Sequence, residues 1–457
     1  MKEKTSSYFL VIGLGASGVS MAKFLCSKGE TVVATDIDAS RDLVAQELNA
    51  LGIRTEIGFH DQKTFNEART LIPSPGIPLT HSNIKEALAH GAALTGELDI
   101  FAKYNTLPVI AITGTNGKTT TTTLIGDMLR ACGMNPFVGG NIGTPLVDNL
   151  MGNTNADVIV AEISSFQLDL STAFRPDVGV LLNISEDHLD RYADYTAYEK
   201  SKWSLFKNQT PSDTAVINRA IKGFDKSRKT IQSRILDFSS DRDIRTVCSA
   251  DIGDKDIRIQ FEGGQTHIIR TDHLKELKGA HNRENIAAAV LACLSLGSPQ
   301  IHDIIKGLES FKNLSHRMEF VKTINNISFY DDSKATNTDA VIRALECFKS
   351  NIILILGGRE KGTDFSLLCH DVEKSVKAIV SIGESKRHVM ETFQGICPVM
   401  EAKTMQEAVE KGFASAVPGD VVLLSPACAS FDMFNNYAHR GREFAARVNA
   451  LEDPNDD

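Results

Sequence analysis

No stretch of this sequence approaches the ~20 consecutive apolar residues that a membrane-spanning helix requires. Hydrophobic residues nevertheless make up 42% of the chain, enough for ordinary packed cores. The longest early apolar run, Tyr8 to Gly13, is short and ends in glycine, so it reads as a strand. The opening Met1-Lys-Glu-Lys4 has no signal-peptide core or cleavage site behind it. These absences predict a cytoplasmic protein with no membrane insertion. Excess positive charge is missing too: 49 Lys and Arg stand against 58 Asp and Glu, a net charge of −9. The whole chain therefore has no electrostatic footprint for nucleic acid, although local basic pockets for phosphates stay possible. The eight cysteines (Cys26, Cys132, Cys248, Cys293, Cys347, Cys369, Cys397 and Cys428) are scattered, and none forms a C-x-x-C pair. That pattern predicts buried thiols, neither a disulfide framework nor a zinc site. There is no internal repeat and no low-complexity segment, and a chain of 457 residues accommodates three domains.

What is present is a succession of short apolar runs separated by amphipathic stretches, the signature of α/β architecture with parallel sheets. Tyr8–Gly13 and Thr31–Asp36 read as strands around a helix over Ser17–Lys28. A second series opens with the strand Pro108–Thr113 and the helix Lys118–Ala131, followed by buried strands at Asp157–Ser164 and Val178–Ile184. Residues 213–265 are more polar and β-like, with Gly263-Gly264 as a hairpin turn, and a helix is expected over Glu284–Leu296. A third series has strands at Ile352–Leu356, Ala378–Ile382 and Val421–Leu424 and ends in a loose acidic tail, Glu452–Asp457. Boundaries after residues 97 and 313 give domains 1–97, 98–313 and 314–457.

Residues 113–120 read Thr-Gly-Thr-Asn-Gly-Lys-Thr-Thr, after an apolar strand and at the start of a helix. This context makes a phosphate-binding loop credible. Glycines let backbone N–H groups turn inward on phosphates, and the helix N-terminus adds partial positive charge. Lys118 is placed to reach the terminal phosphates and Thr119 to bind Mg²⁺ through its hydroxyl. The loop is a variant of the usual pattern, because Ile112 stands where the first glycine belongs. Alone it indicates ATP binding and phosphoryl transfer.

Further charge-handling groups follow. Glu162 closes a buried strand, where a carboxylate is costly without a cation, so a Mg²⁺ ligand and a hydrogen-bonding role both suit it. Asn183-Ile-Ser-Glu-Asp-His-Leu-Asp-Arg191 crowds ionisable groups after another strand, with His188 a candidate second metal ligand or part of a solvated loop. By spacing alone Lys200 and Lys202 are surface charges. Tyr330-Asp-Asp-Ser-Lys-Ala-Thr-Asn337 and Gly357-Gly-Arg-Glu-Lys-Gly-Thr-Asp364 each follow an apolar strand and combine turn residues with anion-binding side chains. Gly13-Leu-Gly-Ala-Ser-Gly18 fits G-x-G-x-x-G, with Asp36 ending the next strand. That fingerprint marks a backbone able to approach a diphosphate, whichever nucleotide carries it. An NAD-dependent oxidoreductase would leave the loop at 113–120 unexplained. A non-catalytic nucleotide switch would not need the clusters near 330 and 357.

Together these motifs resemble the Mur ligases over essentially the whole chain. The likeness is carried by Gly13-Leu-Gly15, Ser74-Pro-Gly76, the phosphate loop, Gly139-Gly-Asn-Ile-Gly143, Glu162-Ile-Ser-Ser-Phe-Gln-Leu168, Asp187-His-Leu-Asp-Arg191, His281-Asn-Arg-Glu-Asn285, His316-Arg317, Asp332-Ser-Lys-Ala-Thr336 and Ser425-Pro-Ala-Cys-Ala-Ser430. The phosphate loop is common to all Mur ligases and to folylpolyglutamate synthases. The Ser-Ser-Phe-Gln-Leu and Ser-Pro-Ala-Cys-Ala-Ser segments narrow the likeness to the branch that adds D-glutamate.

The resemblance implies a Rossmann-like first domain, a central P-loop ATPase-type domain with a parallel sheet, and a Rossmann-like third domain. It implies a monomeric ligase that uses ATP and two Mg²⁺ ions to join UDP-N-acetylmuramoyl-L-alanine to D-glutamate through an acyl phosphate. Ala16, Ser17, Asp36, Ile37 and Ser74 would contact the UDP group, and Asn141 would reach toward the same substrate. Gly114, Thr115, Asn116, Gly117, Lys118, Thr119 and Thr120 would bind ATP. Asn285 and Arg317 would contact adenine or phosphates, and Asp332 the ribose. Thr119 and Glu162 would hold one Mg²⁺; His188 and a carbamylated Lys202 would hold the other, with Lys200 the competing lysine. Carbamylation makes an ammonium into an anionic oxygen ligand, which alone suits a lysine beside Mg²⁺. Thr336, Lys361, Ser430 and Tyr437 would bind D-glutamate, although the family commonly has phenylalanine at the position of Tyr437. Lys334 would touch phosphate.

Overall fold

The computed structural model describes residues 8–152, 155–187, 191–240, 250–261, 265–274, 277, 279–312, 314–348, 350–360 and 362–451. The chain builds three sheets in sequence order. The first is wholly parallel, in spatial order Arg54–Ile57, Val32–Asp36, Phe9–Ile12, Thr70–Pro73 and Ala93–Leu94. The second runs Gln265–Arg270, Asp256–Phe261, Ala250–Ile252, Arg234–Ser239, Thr214–Asn218, Val178–Leu181, Val109–Thr113, Val158–Glu162 and Pro136–Gly140. Its last three strands in the chain pair antiparallel with one another, and all the other pairings are parallel. The third runs Glu319–Ile324, Ile327–Asp331, Val421–Leu424, Ile352–Leu356, Val376–Ser381 and Val399–Glu401, with only the first pair antiparallel.

Val109–Thr113, Val158–Glu162 and Ile352–Leu356 are buried at every position. A parallel sheet covered by helices on both faces requires this, and it explains why these strands read as unbroken apolar runs. Chain contacts divide the molecule into two compact units. One comprises residues 1–184, 196–272 and 284–310; the other comprises 185–195, 273–283 and 311–457. Within the first unit, the helix Glu97–Tyr104 joins the first two sheets. Its Leu98 and Phe101 are fully buried in one core with Phe24, Leu146, Ala161 and Phe174. Burying a side chain as large as Phe101 stabilises by about 2–3 kcal/mol. The second unit has apolar clusters on both faces of its sheet, around Leu354 and Phe365 on one and Ile353 and Phe444 on the other.

Several expected elements differ in extent. The strand expected to reach Ser164 stops at Glu162, because Ser164 caps the short helix Ser165–Asp169 in a reciprocal box with Gln167. The strand expected to reach Ile184 ends at Leu181. The helix expected from Glu284 begins at Ala280. Residues 213–265 are not uniformly β, since Phe224–Ser227 forms a helical turn. The cysteines are not uniformly buried: only Cys293 and Cys428 are buried, whereas Cys26, Cys132, Cys347, Cys369 and Cys397 are partly exposed. The turn at Gly263-Gly264, Cys248 and the tail from Glu452 lie outside the described residues.

Candidate active site

In each sheet the chain order reverses beside one strand, and that is where loops after neighbouring strands meet. In the first sheet that strand is Phe9–Ile12, flanked by Val32–Asp36 and Thr70–Pro73. Gly13, Asp36 and Ser74 therefore converge. The Ser74 hydroxyl donates to the Gly13 carbonyl at 2.9 Å, and Asp36 accepts from the Leu14 N–H at 2.6 Å. A Cβ on Gly18 would lie 1.9 Å from the Gly13 oxygen, so the helix Ala16–Ser27 approaches this loop only with glycine there. Ala16 is exposed, Ser17 half-buried, and the apolar side chain of Ile37 is 63% exposed. Asp36 and Ser74 themselves shape the loop.

In the second sheet the reversal lies at Val109–Thr113, between Val158–Glu162 and Val178–Leu181. Gly114 to Thr120, Glu162 and Asn183 are thereby brought together. Gly117 has φ +84° and precedes the helix Lys118–Ala131; a Cβ there would meet the Asn285 side-chain oxygen at 2.4 Å. Asn183 staples the loop: its carbonyl accepts from Thr115 N–H at 3.0 Å and its side-chain oxygen from Asn116 N–H at 2.8 Å. Its amide donates to the Asn116 carbonyl at 3.0 Å. Lys118 Nζ donates to the carbonyls of Gly114 (2.8 Å) and Thr115 (2.7 Å). Lys202, 1% exposed, donates to the same Gly114 carbonyl at 2.9 Å, with its ammonium 4.6 Å from the centre of the Tyr198 ring. The Tyr198 hydroxyl lies 3.1 Å from that of Thr115. Lys200 is exposed. Of the two lysines, Lys202 is the one against the loop.

Glu162 is 2% exposed. Its Oε1 accepts from Asn141 Nδ2 at 2.8 Å, whereas its buried Oε2 has no hydrogen-bond partner among the described residues. A carboxylate oxygen buried in that way is costly unless a cation neutralises it. Glu162 and the half-buried Thr119 are oxygen donors of the kind that hard divalent cations take, so the residues present fit Mg²⁺. Asn141, expected to reach toward substrate, is engaged with Glu162: its backbone N–H also donates to the Glu162 carbonyl, at 2.8 Å.

In the second unit the corresponding strand is Val421–Leu424, between Ile327–Asp331 and Ile352–Leu356. The segments beginning at Asp332, Gly357 and Ser425 meet there. Asp332 is buried and accepts from the Ser425 hydroxyl at 2.8 Å and the Met318 N–H at 3.3 Å. Burial raises its carboxyl to about 7, partly opposed by the Ser425 hydrogen bond and by the Arg317 charge. Ser430 is buried and Thr336 exposed. Lys334 Nζ stands 3.7 Å from the centre of the Tyr437 ring, a close cation–π seat. Asn337 caps the helix Thr338–Leu345 and also donates to Asp187 at 3.1 Å. His188 and Lys361 lie outside the described residues.

Sequence reasoning missed some supporting groups. Arg440, 1% exposed, donates to Ser333 Oγ and to the carbonyls of Ser333 and Cys428, tying two of the three converging segments together. His316, at φ +65°, pairs with Asp331 at 2.7 Å and sets the turn carrying Arg317. Nothing in the spacing of a lone arginine on an amphipathic helix distinguishes it from a surface charge. Asn183 had a signal, as a polar residue closing an apolar run.

Three family models match the chain: the MurD-like N-terminal domain of Mur ligases at residues 7–96, the Mur ligase middle domain at 112–293, and the glutamate ligase domain of Mur ligases at 316–428. The UDP-N-acetylmuramoylalanine–D-glutamate ligase of Desulfosudis oleivorans is 44% identical over 97% of this chain and 96% of its own. Among solved structures, a pseudomurein peptide ligase type C from Methanothermus fervidus is 20% identical with a TM-score of 0.62, over 97% of this chain and 100% of that one. The MurF ligase of Thermotoga maritima, solved in complex with ADP, is 16% identical with a TM-score of 0.59, over 98% of this chain and 99% of that one. These two structural likenesses establish the shared fold.

Proposed function

The chain belongs to the Mur ligase family, and from that premise we propose that it joins D-glutamate to UDP-N-acetylmuramoyl-L-alanine at the expense of ATP. The observation that carries the use of ATP is the convergence of the Gly114–Thr120 loop, the half-satisfied carboxylate of Glu162 and the buried Lys202 at one switch point. The identity of the acceptor rests on the D-glutamate ligase that is 44% identical over nearly the whole chain. The product is a peptidoglycan precursor, and we place the monomeric enzyme in the cytoplasm. No helix among the described residues is long and apolar enough to cross a membrane. We keep the division into domains 1–97, 98–313 and 314–457.

A carboxylate resists amines because oxide is a poor leaving group. The alanyl carboxylate oxygen therefore first attacks the γ-phosphorus of ATP, and ADP departs. The amine of D-glutamate then attacks the acyl carbon; the C–N bond forms, the acyl–oxygen bond to phosphate breaks, and the amine proton passes to solvent. Gly114 to Thr120 cradle the phosphates, and Lys118 and Lys334 offset the charge on the transferring group. Asn285, Arg317 and Asp332 serve the rest of the nucleotide. Ala16, Ser17, Asp36, Ile37 and Ser74 hold the UDP end, and Thr336, Lys361, Ser430 and Tyr437 the amino acid.

Thr119 and Glu162 would hold one Mg²⁺, and His188 with Lys202 a second. When bound, the ions supply positive charge to the phosphoryl oxygens. Lys118 and Lys202 donate to one carbonyl oxygen, so a half-buried and a buried ammonium group stand close together. Carbamylation of Lys202 removes that repulsion and creates an anionic oxygen donor. The test is phosphate release from ATP with UDP-N-acetylmuramoyl-L-alanine and, in turn, D-glutamate, L-glutamate, L-alanine or meso-diaminopimelate. Release with D-glutamate alone is expected; equal release with another amino acid would overturn the choice of acceptor.

A further inference from the structure

Glu97 opens the helix Glu97–Tyr104 and is 7% exposed. No step above uses it. Its two carboxylate oxygens go to two different segments. Oε1 accepts from the Leu146 N–H at 2.8 Å, and Oε2 accepts from the Gln167 amide at 3.2 Å. The Val147 N–H also donates to the group.

Both connections lead to segments that adjoin Glu162. Leu146 closes the segment that begins at Gly140 and Asn141, where Asn141 grips Glu162 through both its amide and its backbone N–H. Gly140 sits so close that a Cβ there would lie 2.5 Å from the Glu162 carbonyl. On the other arm, Gln167 Oε1 accepts from the N–H and the hydroxyl of Ser164, each at 3.0 Å, two residues beyond Glu162. The helix is itself anchored nearby. A Cβ on Gly96 would meet Leu170 Cβ at 2.7 Å, and Asp99 accepts from the N–H groups of Thr172, Ala173 and Phe174.

We propose that Glu97 is a positioning residue for the ligation, its ionised carboxylate fixing from both sides the segments that aim Glu162 at the phosphate loop. The proposal rests on the ATP-ligase reading of the site. Leu146, Gln167 and Val147 all donate to it, so an ionised carboxylate accepts from each, whereas a carboxylic acid brings a proton for which none of the three offers an acceptor. Burial, partly opposed by these hydrogen bonds, brings the group to about 7, so both forms are populated near neutrality. The other ionisable groups on the packed elements are Asp99 and Lys103 on its own helix, Asp148 on Leu146–Asn149 and Asp169 on Ser165–Asp169. Of these, Asp148 pushes Glu97 further up.

The test compares the full-length chain with Glu97→Gln, which keeps the size and loses the charge. Two measurements are made: D-glutamate-dependent phosphate release across pH 6–8, and binding of Mn²⁺ alone by water-proton relaxation, which needs no turnover. For Glu97→Gln the expected result is a fall in kcat of about tenfold with KM for ATP little changed, and loss of the rise in kcat through neutrality. Mn²⁺ binding should weaken about fivefold while the melting temperature shows a folded protein. Unchanged kcat with an unchanged pH profile, or Mn²⁺ affinity equal to the parent's, overturns the proposal. If Glu97→Gln does not fold, Glu97→Asp decides instead. It should keep the pH-dependent rise at lower kcat, and parental kcat overturns the proposal. A parent chain that binds Mn²⁺ but releases no phosphate with D-glutamate would sink the ligase reading, and the Mn²⁺ comparison would still judge Glu97.

Discussion

Lys118 and Lys202 share the Gly114 carbonyl, so one backbone oxygen accepts from two ammonium groups. Replacing Lys118 with alanine removes one of the two ammonium groups on that oxygen. Lys118→Ala is expected to lose ATP-dependent ligation by at least ~10³-fold, read as phosphate release; normal turnover would refute the loop assignment. Lys202→Ala should be severely impaired and partly restored by acetate, a small carboxylate standing in for the carbamate, whereas the exposed Lys200→Ala should behave as the parent. Full activity in Lys202→Ala without acetate would dismiss the metal-ligand role. Tyr437 tests a subtler contact. Its ring face holds Lys334, so Tyr437→Phe should retain kcat and Tyr437→Leu should lose about 1–2 kcal/mol of transition-state stabilisation. Equal rates for the two variants would mean the cation–π seat does nothing in turnover.

At the scale of elements, the site is a set of strand ends held by short connections. The loop after Val109–Thr113 turns into the helix Lys118–Ala131 through Gly117 at φ +84°, a left-handed conformation that costs any other residue about 1 kcal/mol before contacts are counted. The Cβ of Gly117→Ala would also press on Asn285, itself a nucleotide-binding candidate. We expect this variant to melt at lower temperature and to raise KM for ATP by tenfold or more, on the order of 1.4 kcal/mol. An unaltered KM would show that the loop tolerates a side chain there.

Across the whole molecule, buried carboxyls link stability to pH. Glu97 is raised from 4.5 to about 7 by burial. Between those values the folded chain holds a proton that the unfolded chain releases, so this group's contribution is fully present below about 4.5 and is lost as pH rises through 7. The integrated effect is on the order of 3 kcal/mol. Stability and activity therefore run in opposite directions at this site, because the ionised form that positions Glu162 is the less stable one. Denaturant unfolding at pH 5 and pH 8 should show the parent chain losing more stability with rising pH than Glu97→Gln does. The same loss in both would mean that Glu97 does not titrate in this range.

Much of this architecture is legible in the linear chain. Unbroken apolar runs such as Ile352–Leu356 announce buried parallel strands, and Thr113–Thr120 announces a glycine turn from strand into helix, because local backbone demands fix those residue types. Three βα series could be read for the same reason. Which polar residues leave the surface could not. Lys202 and Lys200 stand on the same short helix with identical local signals, and only packing against Gly114 buries one and exposes the other. Asn183, Arg440 and Glu97 likewise gain their partners from segments remote in the chain. Local pattern determined the strands, the loop and the use of ATP. The tertiary structure decided which carboxylates and ammonium groups share a low-dielectric site, because burial and long-range hydrogen bonds depend on where distant segments meet.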